Sequence, residues 1–269
     1  MAAAACLRPR GRVQCRAMPE PQQPQAAPTL APVDVPARPD DAVSRGLEIL
    51  ATVYHYNHWI FDQVREHLGK RVVEVGSGIG NITQFLLNVD EVVCLEPFEP
   101  YCRHLRSRFA PHRNVRVVQG AIEQCPGPEV PAGQFDTVVC LNVLEHIEDD
   151  VSALRRMREL LAPGGRVIVL VPALHFLYGQ MDRALGHVRR YSRRSLRGAF
   201  RQAGLRPVSA RYLNALGMLG WWWHGRVRGR TVVPVGATRL FDRMVPFLAA
   251  WERLVPPLIG QSVVMVGQA

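Results

Sequence analysis

The chain has 269 residues, room for one α/β domain with additions. Hydrophobic residues make up 48% of it, enough for a sizeable core, and the absence of any run of 18 or more apolar residues excludes a transmembrane helix from the reading. The formal charge of +10 rests on arginine, Lys70 being the only lysine; no zinc finger or aromatic-basic box accompanies it, so a nucleic-acid partner is not expected.

Residues 1–40 are rich in Ala, Pro, Gln and Arg without periodicity, the composition of a disordered tail. Its early arginines and the lack of acids before Glu20 superficially resemble a transit peptide. An over-extended start, with Met18 as initiator, is the other reading, and a plain tail is preferred to targeting. From Asp41 the pattern turns helical. Leu47 and Leu50 share a face, and Ile60, Val64 and Leu68 repeat at helical spacing up to Gly69, expected at the C′ position. Between them, Tyr54-His55-Tyr56-Asn57-His58-Trp59 is too polar and aromatic for a plain core face.

A regular alternation follows. Strands are predicted at Arg71–Val75, Glu91–Leu95, Val115–Val118, Phe135–Cys140 and Arg166–Val171, the last entered through the turn Pro163-Gly164-Gly165. Helices are predicted around Ile82–Asn88, from Pro100 through Phe109, and from an Asp149 cap with Val151, Leu154, Met157 and Leu161 inward. A helix near Ser195–Ala203, a strand near Pro207–Tyr212 and a last strand Ser262–Val266 complete the chain. Strands alternating with helices imply a parallel sheet with right-handed crossovers. None of the six cysteines makes a CxxC pair, and Cys94 and Cys140 fall in strands; a reduced, cytoplasmic protein is the simplest expectation.

The first chemical motif is the turn Glu74-Val75-Gly76-Ser77-Gly78-Ile79-Gly80 after a strand, where glycines permit a tight turn and let a ligand approach the backbone. The second is Glu96 at the end of the next strand, placed to accept from two ribose hydroxyls. Dinucleotides and S-adenosylmethionine (SAM) both carry such a ribose, so this pair alone leaves both open.

Four stretches in order carry a resemblance: Val72 to Gly80, Cys94-Leu95-Glu96-Pro97, Phe135-Asp136-Thr137-Val138-Val139-Cys140-Leu141-Asn142-Val143-Leu144-Glu145-His146-Ile147, and Leu161-Ala162-Pro163-Gly164-Gly165-Arg166. Together they resemble the class I SAM-dependent methyltransferases over roughly residues 54–212 plus the closing strand. The resemblance implies an α/β fold with a Rossmann-like, seven-stranded, mostly parallel sheet, helices on both faces and a helical insertion before the last strand. One domain over 41–269 would include an acceptor loop at 172–194 and the insertion at 214–260. It further implies that Glu74, Gly76, Ser77, Gly78, Gly80 and Asn81 hold the methionine part of SAM and that Glu96 and Pro97 hold its ribose. Gly120, Ala121 and Ile122 would face the adenine, and Asn142, Val143 and Leu144 would line the pocket. Ala121 departs from the commoner acidic residue, leaving a backbone carbonyl or Glu123 to receive the adenine amine.

The segment Val171 to Asp182 and then Gly186 to Tyr191 resembles a subgroup with a VPA…YG..D…GH.RRY stretch. It lies where ligands bind an open α/β sheet, beyond the carboxyl ends of the strands. His187, Arg189, Arg190 and Tyr191 are read as an anion-tolerant acceptor site, because arginine forks match carboxylate or phosphate. The alternative is a clamp in which Asp182 pairs with an arginine and His187 bonds the backbone. His146, His175 and His187 are the candidate bases, His175 and His187 being preferred, with His146 and Tyr178 expected beside the substrate; a metal site from His175, Asp182 and His187 is not expected. Tyr56 and Trp59 are placed over the acceptor or, alternatively, packed on the sheet edge. The insertion, with Trp221-Trp222-Trp223 beside Arg226, Arg228 and Arg230, reads as core packing, an acceptor cover, a dimer contact or a lipid-facing surface. The expected activity is methyl transfer from SAM to oxygen or nitrogen of a small-molecule, natural-product-type acceptor, by a monomer or homodimer with peripheral membrane contact as one option. An NAD-dependent oxidoreductase and a non-catalytic SAM-binding or membrane-associated partner protein are the competing readings.

Overall fold

The computed structural model describes residues 42–232 and 234–269, so the expectation for residues 1–40 lies outside the described residues. Seven strands form one sheet: β1 (Arg71–Val75), β2 (Glu91–Glu96), β3 (Val115–Gln119), β4 (Phe135–Leu141), β5 (Leu161–Pro172), β6 (Arg206–Leu213) and β7 (Ser262–Gln268). Their spatial order is β3-β2-β1-β4-β5-β7-β6, with β7 antiparallel to both of its neighbours and the other pairings parallel. The chain reverses direction across the sheet between β1 and β4, the point at which open α/β sheets bind ligands.

Alternation along the strands divides the core into two layers. Val73, Val75, Val138, Cys140, Val167, Val169 and Met265 point to one face. Their neighbours Val72, Val139, Ile168, Leu170, Val264 and Val266 point to the other. Such strands are buried on both faces, which is why they read as unbroken apolar runs. The first face is covered by α4 (Asp150–Glu159), through Ala153, Leu154 and Met157, and by α6 (Arg193–Gln202), through Leu196, Ala199 and Phe200. The second is covered by α2 (Tyr54–Asp62), α3 (Glu99–Arg108) and α8 (Val235–Leu254). Helices α1 (Ala42–Ala51), α5 (Gln180–Ala184) and α7 (Ala215–Trp222) complete the described chain. Asp149 caps α4 as expected, its carboxylate accepting from the Ser152 amide at 2.9 Å.

Three local expectations are corrected. The helix expected to run to Gly69 ends at Asp62, where the Gln63 side-chain amide takes the Trp59 carbonyl at 2.9 Å; a 3-10 turn follows at Arg65–His67. Gly69 is required for a different reason. A β-carbon there would lie 2.2 Å from the Asp136 β-carbon, whose carboxylate receives the Lys70 and Arg71 amides. Gly69→Ala should therefore lower stability by about 1–3 kcal/mol, the usual cost of overpacking, read by denaturant unfolding; a neutral result would remove the close approach as the reason for glycine.

The helix expected at Ile82–Asn88 is only a 3-10 turn, Thr83–Phe85. The segment is too short to nucleate a helix unaided, and the Thr83 hydroxyl is drawn inward onto Glu74. Leu161 belongs to the start of β5, not to α4. The Pro163-Gly164-Gly165 turn bulges out of β5, since β4 pairs Phe135 with Leu161 and then Thr137 with Arg166.

Candidate active site

The strand ends around β1, β2 and β4 build a cradle. Beyond β1 the chain turns through Gly76, Gly78 and Gly80, all at positive φ. A β-carbon at Gly76 would meet Val143 Cγ2 at 2.4 Å, so the turn lies directly against the segment that leaves β4. From the other side Leu47 of α1 packs over Gly78, and the Leu47 carbonyl accepts from Asn81 Nδ2 at 3.1 Å. Asn81 Oδ1 is left buried without a partner, an acceptor available to a ligand donor.

Two buried carboxylates converge on this turn. Glu74 accepts from the Thr83 hydroxyl at 2.5 Å, and burial pushes its pKa up to about 7. Glu96 accepts from the Gly78 amide at 2.8 Å and the Phe98 amide at 2.9 Å, which fixes the carboxylate at the tip of β2. The Ser77 hydroxyl donates to the Glu74 carbonyl, and Pro97 follows directly on Glu96. At the tip of β3 the Gly120 amide donates to the Glu96 carbonyl at 3.1 Å, the Ala121 amide is taken by Gln124 Oε1, and Ile122 is buried. Glu123 lines a cleft of about 430 Å³ with His146, Ile147, Asp149 and Ser152. At the tip of β4, Asn142 has φ +54 and Leu144 is fully buried.

The acceptor loop is held from within. Asp182, fully buried, accepts from Arg190 Nε at 2.7 Å and His187 Nδ1 at 2.9 Å through Oδ1, and from the Gly179 amide at 3.0 Å through Oδ2. Burial alone would raise the Asp182 pKa, but the His187 hydrogen bond and the Arg190 charge outweigh it and hold the carboxyl below its ordinary range. Arg190 is 2% exposed, also donates to the Ala173 carbonyl and lies over the Trp221 ring at 5.0 Å. The Tyr191 hydroxyl donates to Asp150 at 2.8 Å, and burial together with that carboxylate raises its pKa. Arg190 and Tyr191 are thus engaged within the protein: Asp182 pairs with an arginine, as the clamp alternative has it, but the His187 ring bonds the Asp182 carboxylate and not the backbone. The Arg189 side chain is 30% exposed, pairs with Asp150 at 3.2 Å and donates to the Glu148 carbonyl at 2.6 Å. The Tyr178 hydroxyl donates to the His187 carbonyl at 2.9 Å.

His187 and His146 meet edge to face, ring centroids 4.9 Å apart. Although the His146 residue is exposed, desolvation on the side of its ring that packs into the loop, then the neighbouring His187, push its pKa down to about 4, so it is neutral at physiological pH. Glu145 is the third member of this group. It is fully buried, neither carboxylate oxygen has a hydrogen-bond partner, and burial pushes its pKa up to about 8. One donor atom from each of the three lies within 4.8 Å of the others. His175 stands apart, exposed in a 3-10 turn after β5. Trp59 is buried in the second core layer, and Tyr56 packs on Trp59 and on Phe241 of α8.

A family model described as a methyltransferase domain matches residues 55–210. The chain belongs to the methyltransferase-domain family. The fold is the one expected for this family, whose cofactor is SAM. The ubiquinone biosynthesis O-methyltransferase of Pseudomonas aeruginosa is 30% identical over 168 residues, 55% of this chain and 69% of that protein. That of Escherichia fergusonii is 32% identical over 105 residues, 37% of this chain and 41% of the relative, so the match spans about two fifths of that protein. A geranyl diphosphate methyltransferase solved in complex with SAM is 14% identical with a TM-score of 0.58, covering 86% of this chain and 92% of that one, a likeness of fold.

Sequence reasoning passed over Glu145 as a functional residue. Its signal was a carboxylate next to His146 inside an otherwise apolar stretch, and nothing in one sequence tells a buried carboxylate there from an exposed one. The methyltransferase carries a pH consequence of its two buried acids. A carboxyl whose folded pKa is raised stabilises the fold fully below its unfolded value near 4.5 and loses that contribution as pH rises, to about 7 for Glu74 and about 8 for Glu145. The thermal midpoint of the ligand-free protein should therefore fall between pH 5 and pH 8, with a smaller fall in Glu74→Gln; an equal fall in both proteins would remove Glu74 as a contributor.

Proposed function

We propose that this methyltransferase modifies an oxygen or nitrogen of a small molecule with a polar or anionic group and an apolar part, taken up at a lipid surface. The observation that supports the reading most is the Glu145, His146 and His187 group, joined through Val143 to the glycine turn that cradles the cofactor. Bound SAM supplies an already activated methyl group. The chain's share is alignment and the acceptor's proton. In this reading Glu74, Gly76, Ser77, Gly78, Gly80 and Asn81 bind the methionine part, and Glu96 with Pro97 binds the ribose. Gly120, Ala121 and Ile122 border the adenine, with Glu123 in place of the missing acid, and Asn142, Val143 and Leu144 close the pocket. His187, oriented by Asp182, presents a lone pair to the acceptor side, Arg189 attracts an anionic group, and Arg190 and Tyr191 fix the loop that positions both.

The apolar part of the reading rests on the insertion. Among the described residues no helix is long and apolar enough to cross a membrane. Yet Leu240, Met244, Phe247, Trp251 and Leu254 follow one face of α8 at helical spacing, and all are exposed, Phe247 and Leu254 at 79%. Trp222, Trp223 and Leu258 extend the apolar surface. The insertion carries six arginines (226, 228, 230, 239, 243 and 253), while its two acids are engaged: Asp242 accepts the Tyr56 amide, and Glu252 accepts the Asn214 and Ala215 amides. An apolar face ringed by cations fits an anionic lipid surface.

Calorimetry with SAM against NAD, followed by S-adenosylhomocysteine release with a panel of phenols and carboxylic acids, tests the activity. NAD binding in place of SAM overturns the reading, and SAM binding without turnover favours the non-catalytic alternative. Flotation with phosphatidylglycerol vesicles tests the surface. Phe247→Ser with Trp251→Ser should cut vesicle binding at least tenfold. A dimer in sedimentation that dissociates in this variant, without vesicle binding in the parent, would assign the face to a second copy.

A further inference from the structure

We infer that Glu145, His146 and His187 together bind one divalent transition-metal ion, a cofactor additional to SAM; what the ion does for the acceptor rests on the methyl-transfer reading, but its binding does not. The three residues come from two segments, the 3-10 turn Leu144–His146 that follows β4 and the loop after α5, and present one donor atom each within 4.8 Å of one another. A single ion can bridge that spacing with modest side-chain adjustment, since metal–ligand bonds run at about 2.0–2.3 Å.

The surroundings of the two rings are those of metal ligands. His187 Nδ1 lies 2.9 Å from Asp182 Oδ1, and His146 Nδ1 lies 3.2 Å from the Gly186 carbonyl. A ring that donates Nδ1–H to a carboxylate or a carbonyl keeps its lone pair at Nε2, and such outer partners set the tautomer of metal-binding histidines. The deep burial of Asp182 fixes His187 further.

Glu145 is the independent observation. A carboxyl group that is fully buried with both oxygens unpartnered is costly to ionise, and a bound cation would offset that cost. Arg190, the nearby cation, directs its guanidinium to Asp182 and the Ala173 carbonyl and forms no hydrogen bond to Glu145. Two imidazoles and one carboxylate select Zn²⁺, Mn²⁺, Fe²⁺ or Co²⁺ over Ca²⁺ or Mg²⁺, which prefer sets of oxygens. Three protein ligands leave at least one position open, the pattern of catalytic sites rather than structural ones. An acceptor hydroxyl in that position would lose its proton to solvent near neutral pH, because the ion lowers its pKa. The His187 lone pair would then serve the ion rather than take the proton directly.

The test uses the full chain, stripped of metal by chelation. Co²⁺ is titrated by visible absorption and Zn²⁺ by calorimetry, with SAM affinity measured on the same preparation. One ion per chain is expected. Glu145→Gln and His187→Gln should each lower affinity at least tenfold, while His112→Gln, an exposed histidine outside the group, leaves it unchanged. Since buried replacements can unfold the protein, His146→Gln at the exposed member, checked by thermal melting, must show the same loss. No stoichiometric site, or one with unchanged affinity in His146→Gln, overturns the inference even where SAM binds normally. Loss of SAM binding in the parent protein overturns the methyl-transfer reading and leaves the metal result standing.

Discussion

Asp182→Ala is expected to lower stability by about 3–5 kcal/mol, the cost of leaving one partner of a buried ion pair uncompensated. Asp182 is the hub of the acceptor loop: its two oxygens receive Arg190, His187 and the Gly179 amide. Without it, the Arg190 guanidinium stays 2% exposed with only the Ala173 carbonyl and the Trp221 ring to meet it. Against a total stability of roughly 5–15 kcal/mol, that loss is a large fraction. For a domain of this size it corresponds to a fall in thermal midpoint of about 6–20 °C. The double variant Asp182→Ala with Arg190→Met should lose less than the single one, because no buried charge is then left alone. A single-variant loss below about 1 kcal/mol would show that the pair is not buried as described. Where Asp182→Asn stays folded, its effect should fall on the acceptor side, with SAM affinity preserved, since the clamp touches the acceptor loop and not the glycine turn.

Gly76→Ala is expected to weaken SAM binding by at least about 100-fold, equivalent to about 2.7 kcal/mol. Two costs act together. The residue sits at φ +70, a conformation that costs a residue with a β-carbon roughly 1–2 kcal/mol. The added carbon would also stand 2.4 Å from Val143 Cγ2, so either the turn or the β4 end must move. Calorimetry with S-adenosylhomocysteine reads the result. Val143→Ala in the same protein should restore part of the affinity by removing the collision but not the backbone cost. Gly220→Ala is the control, because a β-carbon there meets nothing within 4 Å. Unchanged affinity in Gly76→Ala would separate the turn from the cofactor.

The parts of the site that lie on strand tips were legible, because strand, turn and spacing together locate a residue on one edge of the sheet. Glu74, Glu96 and Asn142 sit where the motifs put them. The acceptor loop was less legible. Arg189 and Arg190 are neighbours of the same type in the sequence, yet one pairs near the surface with Asp150 and the other is buried against Asp182 and Trp221. The helix expected after the glycine turn failed because a tertiary bond, from Thr83 to Glu74, prevailed over weak local preference.

The sequence by itself therefore determined the succession of the seven strands, the glycine turn with its two acids, and the family to which they belong, because periodicity and short-range spacing are local properties. Only the tertiary structure decided which polar groups are buried and with what. It brought Glu145 and His146 from the turn after β4 against His187 from a loop some forty residues later and left the Glu145 oxygens without donors. It also left an apolar face of α8 uncovered. Burial and partnership arise from contacts between segments distant in the chain, and one chain read in order does not contain them.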